Sequence, residues 1–526
     1  MPVPSSFRRV FGRPVPLAMC ASMLAVSAAG AALPTHAAPA KEALPRLSGG
    51  SSAIAAAAAA PVVAGPKASG VTALAIPAAA GRHAAASTVA PSDRLTGRLV
   101  GYVKQPTVSQ FALVAVTWDS ISSAASESVS AQLRTRTDGT WSSWTELAPD
   151  ADGPSATEDG SVRAGTKPYW VTRATGVEVA VYTSGGVKSP TGLEVATIDP
   201  GTSDRGWRAP PTARGLTASS WGPRAGTFPR IPKIVSRAQW GADERLGDGC
   251  WDPRFGTRFD AAIVHHTAGS NDYSRREAAS IVRGVHAYHT VSRGWCDIGY
   301  NFLIDRYGTV YEGRAGGIRK AVRGAHAGDY NVNTTGISVM GNFDLVGPTR
   351  AMKHSLVQLI AWRLGSAYHG AYGKPFIFDG RFSRISGHRD VMQTACPGRH
   401  VYSWLPTLRE RVSLRLGDYR SKIERAWRNG GAKKGDLGAV RIGERGENGG
   451  RHTTFARGRM YSSSAGVHTL WRGAILTRYV RTGETGGKLG YPRSEQRAVN
   501  GGLRVGFEHG TITYDRSTGK TTVTLR

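Results

Sequence analysis

The stretch Ala261-Ala262-Ile263-Val264-His265-His266-Thr267-Ala268-Gly269 constrains this chain more than any other. It is an apolar, β-branched run that reads as a buried strand ending in two histidines. Far along the chain, Gly387-His388-Arg389-Asp390-Val391-Met392-Gln393-Thr394-Ala395-Cys396-Pro397 sets an imidazole and a thiol eight positions apart, with Pro397 stiffening the loop behind the thiol. His265, His388 and Cys396 together offer three N/S donors to a tetrahedral Zn2+. Three protein donors leave one position for water, the arrangement of a catalytic rather than a structural zinc.

The chain has 526 residues, enough for about three domains at ~100 to 200 residues each. Arg8, Arg9 and Arg13 precede a mostly apolar run from Val15 to Leu33 and small residues around Thr35-His36-Ala37. Residues 1–37 therefore read as a secretory signal peptide, and no second apolar run follows to make a transmembrane segment. Arg8-Arg9-Val10-Phe11 loosely resembles a twin-arginine export signal, but Phe7 stands where that motif wants Ser or Thr, which favours the general secretory route. The formal charge of +29 falls to about +26 without those three arginines. A secreted chain this basic suits an extracellular polyanion such as an anionic wall polymer, ahead of nucleic acid.

Cys20 leaves with the signal peptide, so Cys250, Cys296 and Cys396 remain. An odd thiol in an oxidising compartment needs an explanation. With Cys396 as a zinc thiolate, Cys250 and Cys296 are free to pair. That disulfide would close a loop of about 46 residues, worth ~3 to 4 kcal/mol in the chain-entropy picture.

Residues 38–93 are Ala-rich with Pro, Gly and Ser, too poor in large apolar side chains to offset their ordering entropy, and read as a disordered spacer. From 94 to 200 short alternating segments predict a β-sandwich-like domain, with strands at Phe111 to Trp118, Val129 to Arg136, Val177 to Tyr182 and Leu193 to Ile198. Thr137-Asp138-Gly139-Thr140 is a hairpin turn. No metal or catalytic constellation stands out in this domain. Trp141, Trp144, Tyr169 and Trp170 read as core, with an aromatic carbohydrate platform as the alternative. Residues 201–230, rich in Pro, Gly and Arg, make a linker.

Strands mixed with helices follow from 231 to 428, predicting an α/β domain with a mixed central sheet flanked by helices. Ser274-Arg275-Arg276-Glu277 is a capping box before Ala278, Ile281, Val285 and Tyr288 at helical spacing. Phe302-Leu303-Ile304 and Val310-Tyr311-Glu312 read as strands around the turn Arg306-Tyr307-Gly308-Thr309. Gly336 to Gly341 is another buried strand, Ala351 to Tyr368 an amphipathic helix, and one last helix is expected from Trp404 to about Trp427.

Ile263 to Gly269, Gly294 to Phe302, Tyr311-Glu312-Gly313-Arg314, Gly324-Ala325-His326-Ala327 and Gly387 to Pro397, in this order, resemble the peptidoglycan recognition protein domain of zinc-dependent N-acetylmuramoyl-L-alanine amidases, the type 2, T7 lysozyme-like group. The resemblance implies His265, the first histidine of the pair, as ligand with His388 and Cys396. It also implies cleavage of the amide between the lactyl group of N-acetylmuramic acid and L-alanine. The motif lacks the adjacent glutamate base of an HExxH protease. Tyr300 is the matched catalytic candidate, a phenol able to hydrogen-bond the reacting water or the developing oxyanion. Thr394, the second catalytic candidate, holds the place where relatives carry Lys or Thr, and it implies transition-state stabilisation by a neutral hydroxyl rather than a charge. His289, Trp295, Arg306, His326 and Asn331 resemble positions lining the stem-peptide and glycan groove, and His266 reads as a supporting or core histidine.

Residues 429–526 carry an internal repeat: Leu437-Gly438, Gly449-Gly450, Phe455 and Gly458 recur 52 residues later as Leu489-Gly490, Gly501-Gly502, Phe507 and Gly510. Leu489-Gly490-Tyr491-Pro492 resembles LGFP repeats, modules associated with actinobacterial cell walls, though the first copy has Ala439-Val440 in place of Tyr491-Pro492. The whole reads as a secreted or wall-associated zinc amidase acting on peptidoglycan. A non-hydrolytic peptidoglycan sensor and a structural wall protein are the alternatives.

Overall fold

The computed structural model describes residues 69–79, 97–119, 128–154, 162–184, 186–201, 228–247 and 253–526. The expected signal peptide, most of the expected spacer and linker, and Cys250 lie outside these residues. Among the described residues no helix is long and apolar enough to cross a membrane.

Two antiparallel sheets form the sandwich. One contains β1 (Gly70–Ala75), β3 (Phe111–Trp118), β7 (Ala164–Gly165), β8 (Tyr169–Ala174) and β10 (Glu194–Asp199). The other contains β2 (Arg98–Gln105), β4 (Val129–Thr137), β5 (Thr140–Trp141), β6 (Thr145–Leu147) and β9 (Gly176–Thr183). The β4 to β5 turn has Asp138 at φ 48° and Gly139 at φ 85°, the two left-handed residues a tight hairpin requires. Residues 70–75 correct the disordered-spacer expectation, since every residue of β1 pairs with β10. An edge strand is held by backbone hydrogen bonds and needs few large side chains, so its Ala-rich composition misleads.

The aromatic expectation also divides. Trp170 is buried. Trp141 and Trp144 are instead half-buried under cations, with the Arg134 guanidinium 5.3 Å and 5.0 Å from their ring centroids.

β3 is buried along its whole length because both faces are covered. Val114, Val116 and Trp118 join the sandwich core. Leu113 and Ala115 face the other way, into one cluster with Trp240, Ile281, Val285, Tyr288 and Tyr300. The sandwich and the α/β domain thus share a hydrophobic core.

The central sheet has the order β11 (Ile234–Val235), β14 (Val310–Glu312), β13 (Phe302–Ile304), β15 (Thr334–Val339), β12 (Ala261–His266), β18 (Ile385–Gly387). β14 is antiparallel to β13, and all other pairs are parallel. A small hairpin, β16 (Phe376–Ile377) and β17 (Gly380–Arg381), stands apart. α1 (Arg237–Trp240) starts on a Ser236/Gln239 capping box, and α2 spans Ala278–Ala287. α3 (Arg350–Ser366), capped by Thr349, packs with α4 (Arg399–Leu416) over one sheet face through Met352, Leu356, Ile360, Val401, Leu405 and Leu408. α2 and the sandwich cover the other face. The single last helix expected from the sequence is two: α4 ends at Gly417, and Ser421 caps α5 (Lys422–Asn429) by accepting from Glu424 N at 2.9 Å.

α5 opens the repeat. The first copy is α5, a 3-10 turn at Ala432–Lys434, and β19 (Val440–Glu447), β20 (Gly450–Phe455), β21 (Gly458–Ser463) and β22 (Gly466–Trp471). The second is α6 (Ala474–Arg481), a 3-10 turn at Glu484–Gly486, and β23 (Arg497–Val499), β24 (Gly502–Phe507), β25 (Gly510–Asp515) and β26 (Thr521–Leu525). The cores keep the 52-residue offset: Ile423, Trp427, Leu437, Phe455 and Met460 in one become Ile475, Tyr479, Leu489, Phe507 and Ile512 in the other. Even the polar contact repeats, with Trp427 Nε1 donating to Gly438 O and Tyr479 Oη to Gly490 O.

Candidate metal centre

Strand alternation decides between the two histidines. Ala262 and Val264 face the core under α3 and α4, and His266 follows them. There His266 Nδ1 accepts from Phe343 N at 3.3 Å and its ring lies 6.4 Å from Phe343. His265 falls on the opposite face with Ala261 and Ile263. β18 lies parallel beside β12, pairing Gly387 with Val264, so the next residue, His388, arrives beside His265 with ring centroids 4.4 Å apart. The chain then turns, Asp390 accepting from Gly387 N at 2.9 Å and Arg389 N donating to Cys396 O at 3.0 Å, and brings the thiol back. A Cβ at Gly387 would stand 2.8 Å from Pro397 Cδ, so this closure uses glycine's missing side chain.

Cys396 Sγ lies 3.7 Å from His265 Nδ1 and accepts from His266 N at 3.4 Å. Burial, then the neighbouring His388, lowers His265 to about 4, leaving it neutral near pH 7. Burial pushes the Cys396 thiol up. A buried thiol of this kind is an inert hydrophobe by itself and becomes a thiolate on a metal. His265 Nε2 lies 3.0 Å from His326 Nδ1, the outer hydrogen bond that fixes a ligand's tautomer. His326 fits because β15 carries Gly336 beside it, where a Cβ would lie 2.2 Å from the ring.

A fourth donor comes from the sandwich. Asp152 Oδ1 is 3.2 Å from His265 Nδ1 and 3.1 Å from His388 Nδ1. Asp152, His265, His388 and Cys396 are all buried, with donor atoms within 4.8 Å of one another. Asp152 Oδ1 and His388 Nδ1 lie 3.1 Å apart but make no well-aligned hydrogen bond among the described residues, a pair that a cation would satisfy. Two donors ~2.1 Å from a tetrahedral ion sit ~3.4 Å apart, and a thiolate at ~2.3 Å sits slightly farther from a nitrogen. The observed spacings of 3.1, 3.2 and 3.7 Å match that geometry, so the residues fit zinc.

Asp152 Oδ2 accepts from Tyr300 Oη at 2.5 Å and from Lys167 Nζ. Lys167 also pairs with Asp150 at 2.5 Å, and Asp150 with Arg293 at 2.6 Å. Burial pushes the Asp152 carboxyl up, but Lys167 and His265 outweigh it and hold it well below the usual carboxylate range. Burial likewise opposes the Lys167 charge, and Asp150 and Asp152 hold it well above its ordinary value. Burial and the Asp152 charge raise the Tyr300 phenol well above its ordinary range.

The other expected residues are scattered in role. Thr394 Oγ1 accepts from Cys396 N at 3.2 Å and so supports the thiol loop. His289, Trp295, His326 and Asn331 are buried rather than lining an open groove. His289 Nδ1 accepts from Gly299 N at 3.1 Å and its ring lies 4.3 Å from Trp295. Asn331 accepts from His326 N and Ala327 N and donates to Gly153 O at 3.0 Å. Arg306 is engaged elsewhere, with Asn271 O at 2.7 Å and the rings of Tyr273 and Tyr307. Cys396 is free. Asp150, Asp152, Lys167 and Arg293 are the site residues that sequence reasoning missed. Asp150-Ala151-Asp152-Gly153 carries only the signature of a turn.

Three family models match separate parts of the chain. N-acetylmuramoyl-L-alanine amidase covers residues 255–399, Rv3811 N-terminal galactose-binding domain-like covers 72–205, and LGFP repeat covers 437–487. Peptidoglycan-recognition protein SC1a/b of Drosophila simulans is 36% identical over 172 residues, 32% of this chain and 82% of that protein. The chain belongs to the peptidoglycan recognition protein family. Peptidoglycan recognition protein 1 of Mus musculus is 36% identical over 171 residues, 32% of this chain and 84% of that protein. Similar solved structures include wild-type Drosophila PGRP-LB, at 29% identity and TM-score 0.27, covering 33% of this chain and 93% of that one. Human PGRP-IβC in complex with glycosamyl muramyl pentapeptide has 28% identity and TM-score 0.27, covering 34% and 96%. The family domain of this chain is therefore a type 2 amidase domain, with a galactose-binding-like sandwich before it and LGFP repeats after it.

Proposed function

We propose that the chain is a zinc-dependent N-acetylmuramoyl-L-alanine amidase that hydrolyses the bond between N-acetylmuramic acid and L-alanine in peptidoglycan. The observation that carries this reading is the gathering of His265, His388 and Cys396, their donor atoms within 4.8 Å of one another, with the Tyr300 phenol beside them. His265, His388 and Cys396 would hold the zinc, which when bound would supply Lewis-acid polarisation of the scissile carbonyl and acidify a water. Tyr300, kept protonated by its burial, would donate a hydrogen bond to the developing oxyanion once its present acceptor, Asp152 Oδ2, is withdrawn. His326 holds His265 in its ligating orientation, and Thr394 holds the thiol loop.

Peptidoglycan as substrate is supported by the 36% identical relatives, which are peptidoglycan recognition proteins by name. The LGFP module and the charge of +29 suit residence at an anionic wall outside the cell, reached through the amino-terminal signal. A Cys250 to Cys296 disulfide fits that compartment.

The test is release of new N-terminal L-alanine from purified peptidoglycan by the zinc-loaded full chain and by its Asp152→Ala variant. Cys396→Ser and zinc-stripped controls accompany both. Release abolished in the controls is the expected result. Peptidoglycan binding without release by either zinc-loaded protein would overturn hydrolysis in favour of a sensor.

A further inference from the structure

We propose that Asp152, delivered by the β-sandwich, is a fourth protein ligand that closes the metal centre and holds it latent. Ligation by Asp152 stands on geometry alone; latency rests on the amidase reading above. The two carboxylate oxygens divide their work. Oδ1 faces His265 Nδ1 and His388 Nδ1 at 3.2 Å and 3.1 Å, while Oδ2 takes Tyr300 and Lys167. Four electron-pair donors thus converge on one buried space. A zinc bound by four protein donors has the closed coordination of a structural site, whereas hydrolysis needs the fourth position for water.

The carboxylate is locked in place from both domains. On the sandwich side, Pro149 pairs with Thr166, and Asp152 N donates to Asp150 Oδ1 at 3.0 Å. On the α/β side, Arg293 grips Asp150 and donates to Asp152 O at 3.3 Å. Gly153 O accepts from Gly328 N at 3.1 Å and from Asn331 Nδ2 at 3.0 Å, and Tyr288 Oη donates to Thr166 O at 2.6 Å. The arm therefore engages the catalytic phenol through Oδ2 and Asn331 through Gly153 as well as the metal position. Residues that resemble the wall of a substrate groove face the protein's own chain instead.

The experiment uses the full chain loaded with zinc or cobalt(II), in the wild type and in Asp152→Ala, with azide as the probe of an open coordination position. Asp152→Asn, which keeps the volume of the side chain, serves if the alanine variant does not fold. In the wild type, azide should leave the visible cobalt bands unmoved. In the variant, azide should shift them, zinc affinity should fall by about tenfold or more, and alanine release at saturating zinc should rise at least tenfold. Loss of affinity together with gain of activity is the signature of a ligand that blocks. Cobalt bands of the wild type that move with azide as the variant's do, or zinc affinity equal in the two, would overturn the ligand. Affinity and bands that change as expected, with no more alanine released by the variant than by a slowly hydrolysing wild type, would overturn latency. The expected bands and affinities without hydrolysis by either protein would leave the ligand standing and remove the amidase reading on which latency rests.

Discussion

Glu484 joins the two repeat copies, and its removal should loosen them by an amount the structure sets. It stands on the 3-10 turn of the second copy, yet all three of its partners belong to the first. Oε1 accepts from Arg459 Nη1 at 2.6 Å and Tyr461 Oη at 2.7 Å, and lies 3.2 Å from His452 Nδ1. Burial pushes the carboxyl up, but these hydrogen bonds and the Arg459 charge outweigh it and bring it from 4.5 down to about 2. At ~1.4 kcal/mol per pH unit that interval would be ~3 kcal/mol, and solvent screening of a half-buried carboxylate reduces it to ~1 to 2 kcal/mol at neutral pH. Because the folded value is the lower one, the unfolded carboxylate takes its proton first on acidification. The contribution is whole above pH 4.5 and drains away as pH falls to about 2.

Glu484→Gln keeps the volume and one acceptor but removes the charge. Hydrogen exchange of the amides in β20 and β21 reads local opening in the full chain, where global unfolding need not be two-state. Expected at pH 7 is a loss of protection of about 5- to 30-fold, or ~1 to 2 kcal/mol. After correction for intrinsic exchange, the gap between variant and wild type should narrow through pH 4 and close near pH 2. Equal protection at pH 7, or a deficit unchanged at pH 2, would refute the argument.

At the metal centre, Cys396→Ser should abolish stoichiometric zinc, measured by elemental analysis after dialysis, because a hydroxyl is a far weaker zinc donor than a thiolate. His326→Gln should weaken zinc binding by about 10- to 100-fold in a competition assay, since the outer partner of His265 is lost. Gly336→Ala should act in the same direction through a different cause, its Cβ forcing the His326 ring from its seat. Gly165→Ala would set a Cβ 2.6 Å from Tyr288 Oη and 2.7 Å from Val116 O. It should destabilise the junction of sandwich and α/β domain by ~1 to 3 kcal/mol, read by denaturant titration of near-ultraviolet ellipticity.

Much of the fold was legible where a local pattern and its tertiary use agree. The run from Ala261 to Val264 is apolar on both faces because β12 is central and covered on both sides. The same alternation separates His265 from His266. The 52-residue offset held because each repeat copy must rebuild a core from equivalent positions, Phe455 and Phe507 among them. Local patterns misled where the backbone decides. Gly417 and Asp418 interrupt a stretch of helical composition, and Ser421 starts a new helix whose Ile423 and Trp427 build the core of the first repeat copy, with Tyr368 of the α/β domain packed into it. β1 is a strand because β10 offers it an edge. Trp141 and Trp144 lie under Arg134, an arrangement that needs three separated residues to meet.

Asp152 is the sharpest case, because its meaning exists only in contact. Its bond to Tyr300 spans 148 positions and the bond from Asn331 to Gly153 spans 178. Asp150 and Asp152 in an Asp-Gly turn read as solvent-facing, and Lys167 reads as a surface charge. Burying such groups is costly unless each is paired. Here Arg293 neutralises Asp150, Lys167 bridges both carboxylates, and one oxygen of Asp152 is left facing two imidazole nitrogens. An arm that carries three buried charges into a metal pocket would be a liability if it served only to pack two domains. Apolar side chains already do that at Leu113 and Ala115. Its charges balance against Lys167 and Arg293, but the Asp152 oxygen aimed at two imidazole nitrogens becomes intelligible once a cation sits between them, and that cation then lacks the position that hydrolysis requires.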